Sequence, residues 1–193
     1  MLYLKNLRTG RLTKVPENLV YTMITGLGNR HGLEYANVLY VRDLATGADD
    51  QIIKLDRDSM IDGASLDAKG RTLAYGLTTG SDNGQIYVKD RHTGTTRRVD
   101  TGTQAHLVQL SADGHRVLFN VHLGDGVWVA YLRDLRTDEV RRIADGPAAA
   151  GDGSLRHILL TDGDAAVFTS TATDLVPGDT NEVSDVFVTR PRR

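Results

Sequence analysis

The chain has 193 residues, of which 40% are hydrophobic, and this length suffices to bury a core without disulfides. Cysteine is absent, which excludes a disulfide scaffold and a thiolate metal site. The 23 basic and 25 acidic residues give a net charge of −2, so the composition predicts no nucleic-acid partner and no attraction to an anionic membrane.

The N-terminus begins with the alternating apolar pattern of Met1–Lys5. It has neither the charged region nor the apolar region of a secretory signal, and the chain has no apolar run long enough for a membrane span. We therefore expect no signal peptide and no transmembrane segment in this chain. The pattern does not indicate a compartment.

A strand followed by a turn recurs along the chain. The copies are Leu2–Gly10, Leu39–Gly47, Ile86–Gly94 and Ala130–Asp138, and a last copy at Val186–Val188 stops before its turn. The glycine supplies the positive φ of a hairpin turn, and the preceding Asp or Asn accepts hydrogen bonds from turn amides. Asp138 replaces the glycine in one copy, and aspartate tolerates this conformation. These aspartates are predicted to be structural.

A second pattern alternates with the first. Leu110–Phe119 aligns without gaps to Leu159–Phe168, and Leu66–Tyr75 is a looser copy with Gly70 in the turn. Each copy is typical of two strands joined by a tight turn. Together the two patterns predict short strands in chain order at residues 2–6, 11–15, 18–25, 37–43, 50–55, 61–66, 72–78, 85–90, 95–99, 105–110, 116–122, 128–134, 140–143, 155–159, 165–171 and 185–189.

A unit of roughly 40–50 residues with four short strands is typical of a β-propeller blade. The Leu-Ser-Ala-Asp-Gly string at 110–114 and the Tyr-Val-Arg-Asp-Leu-Ala-Thr-Gly string at 40–47 resemble the TolB-type, WD-like propeller repeats of bacteria. The segment Ala172–Val188 resembles an element of actinobacterial members of that group. The resemblance implies a platform for interactions, often outside the cytoplasm.

The predicted fold is all-β, a single propeller domain over residues 1–193 with about four blades of four antiparallel strands. Its blades are predicted at residues 11–55, 61–99, 105–143 and 155–189, with residues 2–6 added to the last as a closing strand. Closure of this kind removes the open edges of a sheet. Two alternatives stay open: the chain is a fragment of a larger propeller, or two chains combine as a homodimer into one ring.

Binding is predicted on the face that carries the loops after the second strand of each blade and the connections between blades. These loops vary in length, and variable loops on a rigid scaffold carry most binding sites. These loops are acidic and predict a protein or peptide partner. The candidate ligand-binding residues are Asp82, Asp125, Asp174 and Glu182.

The last of these loops also has the pattern of a metal site. Asp179, Asn181 and Asp185 supply carboxylate and amide oxygens, the ligands that Ca²⁺ prefers, although their spacing departs from that of an EF-hand. The alternative interpretation is that these side chains hydrogen-bond loop amides. No cofactor is required by the sequence, and calcium is the candidate ion.

Catalytic signatures are scarce. The chain has neither a Gly-x-Ser-x-Gly nucleophile elbow nor a phosphate-binding glycine loop with lysine. Asp62, His106 and His157 are predicted on the inner strands, where they are candidates to line the central channel. The alternative to a binding module is therefore a metal-dependent, carbohydrate-active, lyase-like enzyme. Trp128 is expected to pack between blades.

Overall fold

The computed structural model describes residues 2–5, 7–15, 23–24, 37–42, 48–56, 59–80, 83–102, 104–124, 128–144, 157–159, 165–170, 176–178, 180 and 183–189. These residues form strands, turns and connections, and none of them belongs to a helix that could cross a bilayer. The chain divides into two compact units, residues 1–56 and 57–193. The single propeller domain stays a prediction.

Unit 1 contains two antiparallel sheets. Leu2–Lys5 (β1) pairs with Leu12–Val15 (β2). Met23–Ile24 (β3), Asn37–Arg42 (β4) and Asp49–Leu55 (β5) follow one another in a three-stranded sheet. Leu39 is fully buried in the middle of β4, as expected for an apolar position in an alternating strand.

Unit 2 contains three antiparallel sheets in which each strand pairs with the next along the chain. Blade A comprises Ser59–Leu66 (β6), Thr72–Thr79 (β7), Asn83–Asp90 (β8) and Thr96–Arg98 (β9). Blade B comprises Ala105–Leu110 (β10), Arg116–His122 (β11), Trp128–Asp134 (β12) and Val140–Ala144 (β13). Blade C comprises His157–Leu159 (β14), Ala166–Ser170 (β15) and Asp185–Thr189 (β16).

These sheets confirm the predicted all-β, antiparallel architecture. Blades A and B have the four strands that the two alternating patterns predict, and blade C has its predicted three. The number of blades in the whole fold and the closing role of residues 2–6 stay predictions.

The second strand of blade B is buried on both faces. Successive side chains of a strand point to opposite faces, so Val117, Phe119 and Val121 join the core shared with blade A. The intervening Leu118 packs with Ala166 of blade C. Burying a large apolar side chain such as Phe119 contributes roughly 1.5–3 kcal/mol. This central strand is therefore buried over Val117–Val121 and joins three blades into one unit.

Backbone hydrogen bonds also link blades A and B. The amide of Ala68 donates to the carbonyl of Ala112 at 2.8 Å, and the amide of Leu110 donates to the Ser65 hydroxyl at 3.0 Å. Each bond gives a backbone amide a hydrogen-bond partner in the neighbouring blade. They fix the two turns of these blades side by side.

The strand directions give each blade two distinct ends. We call the end with the short connections at 67–71, 91–95, 111–115 and 135–139 the turn end. The opposite end, with the connections at 80–82, 99–104, 123–127 and 171–184, is the loop end. The loop end is the one at which the sequence predicts binding.

Candidate functional site

An aromatic cluster lies at the loop end of blade B. Trp128, the first residue of β12, stacks on His122, the last residue of β11, with ring centroids 4.7 Å apart. His106 of β10 meets the same indole edge-on at 5.5 Å. The register of β11 and β12 places His122 directly opposite Trp128, which explains the stacking. We call these three residues the loop-end cluster.

Gln104 positions His122, one of the two histidines of this cluster. Its side-chain oxygen accepts a hydrogen bond from Nδ1 of His122 at 2.7 Å, and its carbonyl accepts the His122 amide at 3.0 Å. Gln104 itself has a φ of 57°, which is uncommon for a residue with a side chain. The connection into blade B therefore places this side chain across the end of β11.

Gly84 of blade A completes the surroundings of His106. A Cβ at position 84 would lie 2.4 Å from the Ala105 carbonyl oxygen and 2.7 Å from Cε1 of His106. Only glycine allows the start of β8 to approach β10 this closely. The close approach joins blade A to the loop-end cluster.

Sequence reasoning found part of this cluster and missed the rest. His106 was predicted as a channel candidate and Trp128 as a residue packing between blades, whereas the ring contacts of Trp128 lie within its own sheet. The roles of Gln104 and Gly84 carry no sequence signal, because they depend on the path of a connection and on contact between blades. The one available hint is that His122 and Trp128 end and begin two successive strands.

The three channel candidates lie on the first strands of the three consecutive blades A, B and C. Asp62 belongs to β6, His106 to β10 and His157 to β14. Strand β10 packs against β6 on one side and against β14 on the other. The side chains of Asp62 and His157 lie outside the described part of the chain. Their convergence on His106 therefore stays a prediction.

The candidate metal and ligand-binding residues fall mostly outside the described residues. Of the proposed calcium ligands, Asp185 is described: it is half-buried, begins β16 and pairs with Ser170. Within the described part of the chain, no three His, Asp or Glu side chains lie close enough together to hold a metal ion. The other predicted metal and ligand-binding residues lie outside the described residues: Asp179, Asn181, Asp82, Asp125, Asp174 and Glu182.

The carboxylates of the turn end serve the hairpins, as the sequence predicts. Asp90 accepts hydrogen bonds from the amides of His92 and Thr93 at 2.8 and 3.0 Å, and those bonds hold its pKa below the ordinary value. Asp134 bonds the amides of Arg136 and Thr137 in the same way. Burial raises the pKa of Asp134, but these amides outweigh it and leave the pKa lowered.

Asp138 joins blades A and B at the turn end. It adopts a φ of 65°, which confirms that aspartate takes the place of the repeat glycine. Its carboxylate pairs with Arg133 at 2.6 Å and with Arg97 of blade A at 3.0 Å, and Arg133 holds its pKa below the ordinary value. Arg133 also donates to the Val99 carbonyl at 2.9 Å. These charges are structural.

A groove of about 330 Å³ lies between the turn ends of the same two blades. Thr72, Thr95 and Arg97 line it from blade A, and Gly114 and Leu135 line it from blade B. The Arg97 guanidinium in its wall is held by Asp138 and by the Leu135 carbonyl. The groove is therefore bordered by the ion pairs that connect the blades.

The arrangement of these sheets is that of a β-propeller. The chain is similar to TolB from Acinetobacter baumannii, with a TM-score of 0.56 and 21% identity over 79% of this chain and 35% of that one. It is also similar to the β-propeller domain of the Trilobed protease from Pyrococcus furiosus, with a TM-score of 0.57 and 12% identity over 99% of this chain and 50% of that one.

A third similar structure is an oligogalacturonate lyase in complex with manganese, with a TM-score of 0.56 and 15% identity over 79% of this chain and 41% of that one. This chain therefore spans between about a third and a half of the length of these three structures. No family model matches the chain, and no curated protein matches it. The similarity shows the fold and does not show an activity.

Proposed function

We propose that this chain is a propeller module that binds a protein or peptide partner through the acidic loops of its loop end. The observation that carries the proposal is the difference between the two ends of the blades. At the turn end, the carboxylates of Asp90, Asp134 and Asp138 serve turn amides and arginines. At the loop end, the sequence places Asp82, Asp125, Asp174 and Glu182 in the connections, and the aromatic cluster lies where β11 ends and β12 begins.

The test is selection of partners from a random peptide library on the intact chain. Selected peptides should lose affinity by about tenfold when Asp125→Asn and Glu182→Gln are combined, because loop carboxylates attract and orient a charged partner. The matched control is Glu139→Gln, an exposed carboxylate at the turn end, which should leave the affinity unchanged. Isothermal titration calorimetry measures both. Peptides that bind the loop variant as tightly as the wild type, or a selection without binders, would refute the proposal.

A bound calcium ion is part of the proposal, held by Asp179, Asn181 and Asp185. The position of Asp185 at the start of β16 supports it, because an ion there would fix the loop to the strand. Calcium at about 1 mM should raise the melting temperature, because an ion that binds the folded state alone stabilises it. The increase should disappear in Asp185→Asn.

The same measurement tests a second candidate function, a metal-dependent enzyme that acts on carbohydrates. Two observations favour it: His106 lies on the middle one of three adjacent first strands, and one similar structure contains manganese. Carboxylate groups such as that of Asp62 are suitable manganese ligands, and imidazole is a common ligand of transition metals. In that case manganese, and not calcium, should raise the melting temperature, and His106→Gln should abolish the increase. If neither ion changes the melting temperature, both metal proposals are wrong.

A further inference from the structure

Asp67 is a buried carboxylate at the turn end of blade A, with an exposed fraction of 8%. Its Oδ1 accepts the amide of Arg71 at 2.7 Å, which closes the turn that follows β6. Within the described part of the chain, its second oxygen, Oδ2, has neither a hydrogen-bond partner nor an ion pair. Because a buried charged oxygen without a partner is costly, Oδ2 is a candidate to accept a hydrogen bond from a ligand.

The turn itself does not require a carboxylate at this position. Ser111 occupies the equivalent position in the aligned turn of blade B, where its hydroxyl accepts the amide of Arg116 at 2.9 Å and donates to Asp113. A small neutral side chain therefore serves the same kind of turn in the neighbouring blade. The charge of Asp67 is not explained by the turn.

A second polar atom lies beside Oδ2 of Asp67. A Cβ at position 114 would lie 3.0 Å from this oxygen and 3.0 Å from the Thr72 hydroxyl, so both oxygens face the same point next to Gly114. Among the described residues, the Thr72 hydroxyl has no hydrogen-bond partner either. Since glycine has no side chain, it leaves both oxygens uncovered on this side.

Thr72 and Gly114 line the groove of about 330 Å³ between the turn ends of blades A and B. Pockets for small molecules measure about 300–1,000 Å³, so the groove has the size of a small one. Asp90 pairs directly with Thr72 in the register of β7 and β8, which places a second carboxylate on the same face of the sheet. Val88 and Leu135 add apolar side chains to the lining.

We propose that this groove binds a primary ammonium group, carried by a small alkylamine or by the lysine side chain of a peptide. The ammonium group donates to Oδ2 of Asp67 and to the Thr72 hydroxyl, and Asp90 adds negative charge. The alkyl chain packs on Val88 and Leu135. This site lies at the turn end and does not depend on the partner proposed for the loop end.

Other classes of ligand fit the groove less well. An anion would meet two carboxylates, and the Arg97 guanidinium in the wall is already held by Asp138 and by the Leu135 carbonyl at 3.0 and 2.7 Å. A calcium ion takes about six to eight oxygen ligands. No three His, Asp or Glu side chains in the described part of the chain lie close enough together to hold a metal ion.

The experiment titrates the intact chain with n-butylammonium chloride at pH 7, where the amine is protonated. The amide NMR resonance of Gly114 reports binding at the groove, and it should shift with a dissociation constant on the order of 1 mM. n-Butanol carries no charge and tetramethylammonium has no N–H donor, so neither should shift the resonance. A parallel titration with Nα-acetyl-lysine methylamide separates the two sources. Equal or tighter binding assigns the site to lysine side chains, and weaker binding assigns it to small amines.

Two variants test the named oxygens. Asp67→Asn should weaken n-butylammonium binding by at least about tenfold, because it removes the charge while its side-chain oxygen still accepts the Arg71 amide. Thr72→Val removes one acceptor and should weaken binding about threefold. The matched control Glu139→Gln removes an exposed carboxylate at the same end and should have no effect. Urea unfolding verifies that each variant folds.

Three results would overturn the proposal. The first is a Gly114 resonance that stays unchanged at about tenfold above the expected dissociation constant. The second is an Asp67→Asn protein that folds and binds n-butylammonium as tightly as the wild type. The third is tetramethylammonium binding as tightly as n-butylammonium, because hydrogen bonds to Asp67 and Thr72 would then contribute nothing.

Discussion

Replacing Gly84 by alanine should destabilise unit 2 by about 3 kcal/mol, because the new methyl group would overlap a backbone carbonyl and a histidine ring. The Ala105 carbonyl cannot move away without displacing β10 from its pairing with β11. Urea unfolding followed by Trp128 emission measures the change directly. The emission of the folded variant should also shift, since the displaced His106 ring contacts the indole.

Two variants make this prediction specific. Gly80→Ala lies four residues earlier, meets open space and should cost only about 1 kcal/mol for its left-handed φ of 66°. Adding His106→Ala to Gly84→Ala should restore part of the stability, because it removes one of the two overlaps and the effects of residues in contact are not additive. A Gly84→Ala protein within about 0.5 kcal/mol of the wild type would show that the close approach is wrong.

Much of the fold was predictable because hairpins are encoded locally. Alternation places Val117, Phe119 and Val121 on one face of a strand, and the Asp-Gly and Thr-Gly turns mark where each strand reverses. The strand Arg116–His122 has the bounds that the alternating pattern predicts. Even the substitution of the turn glycine by Asp138 was readable, since few residues other than glycine accept that conformation.

The candidate site was less predictable because its contacts are not local. Gly84 and His106 belong to different blades, and nothing in either repeat distinguishes Gly84 from a turn glycine. The hydrogen bond from His122 to Gln104 depends on the path of a connection that has no repeated pattern. The candidate calcium, ligand-binding and channel residues illustrate the same limit: their types suggest chemistry, but only the fold decides which of them meet.

Asp100 is a further residue whose role is not evident from the sequence. Replacing it in Asp100→Ala should destabilise unit 2 by on the order of 2 kcal/mol. Its carboxylate is shielded from solvent, accepts the amides of Ile86 and Gly102 at 2.9 and 3.0 Å, and pairs with Arg98 at 2.7 Å. Removing it leaves the buried Ile86 amide without this acceptor and Arg98 without its carboxylate partner. The control is Asp90→Ala, which removes an exposed carboxylate and should cost less.

The pH dependence of unfolding separates Asp100 from a merely steric effect. Burial by itself raises the pKa of Asp100, but Arg98 and the two amides outweigh it, so the pKa is lowered on folding. A lowered pKa adds stability above the unfolded value of about 4, and that stability is lost as the pH falls through the folded value. The wild type should therefore lose stability on acidification more steeply than Asp100→Asn. Parallel pH profiles from urea unfolding would show that folding does not lower the pKa of this carboxylate, which would contradict the prediction.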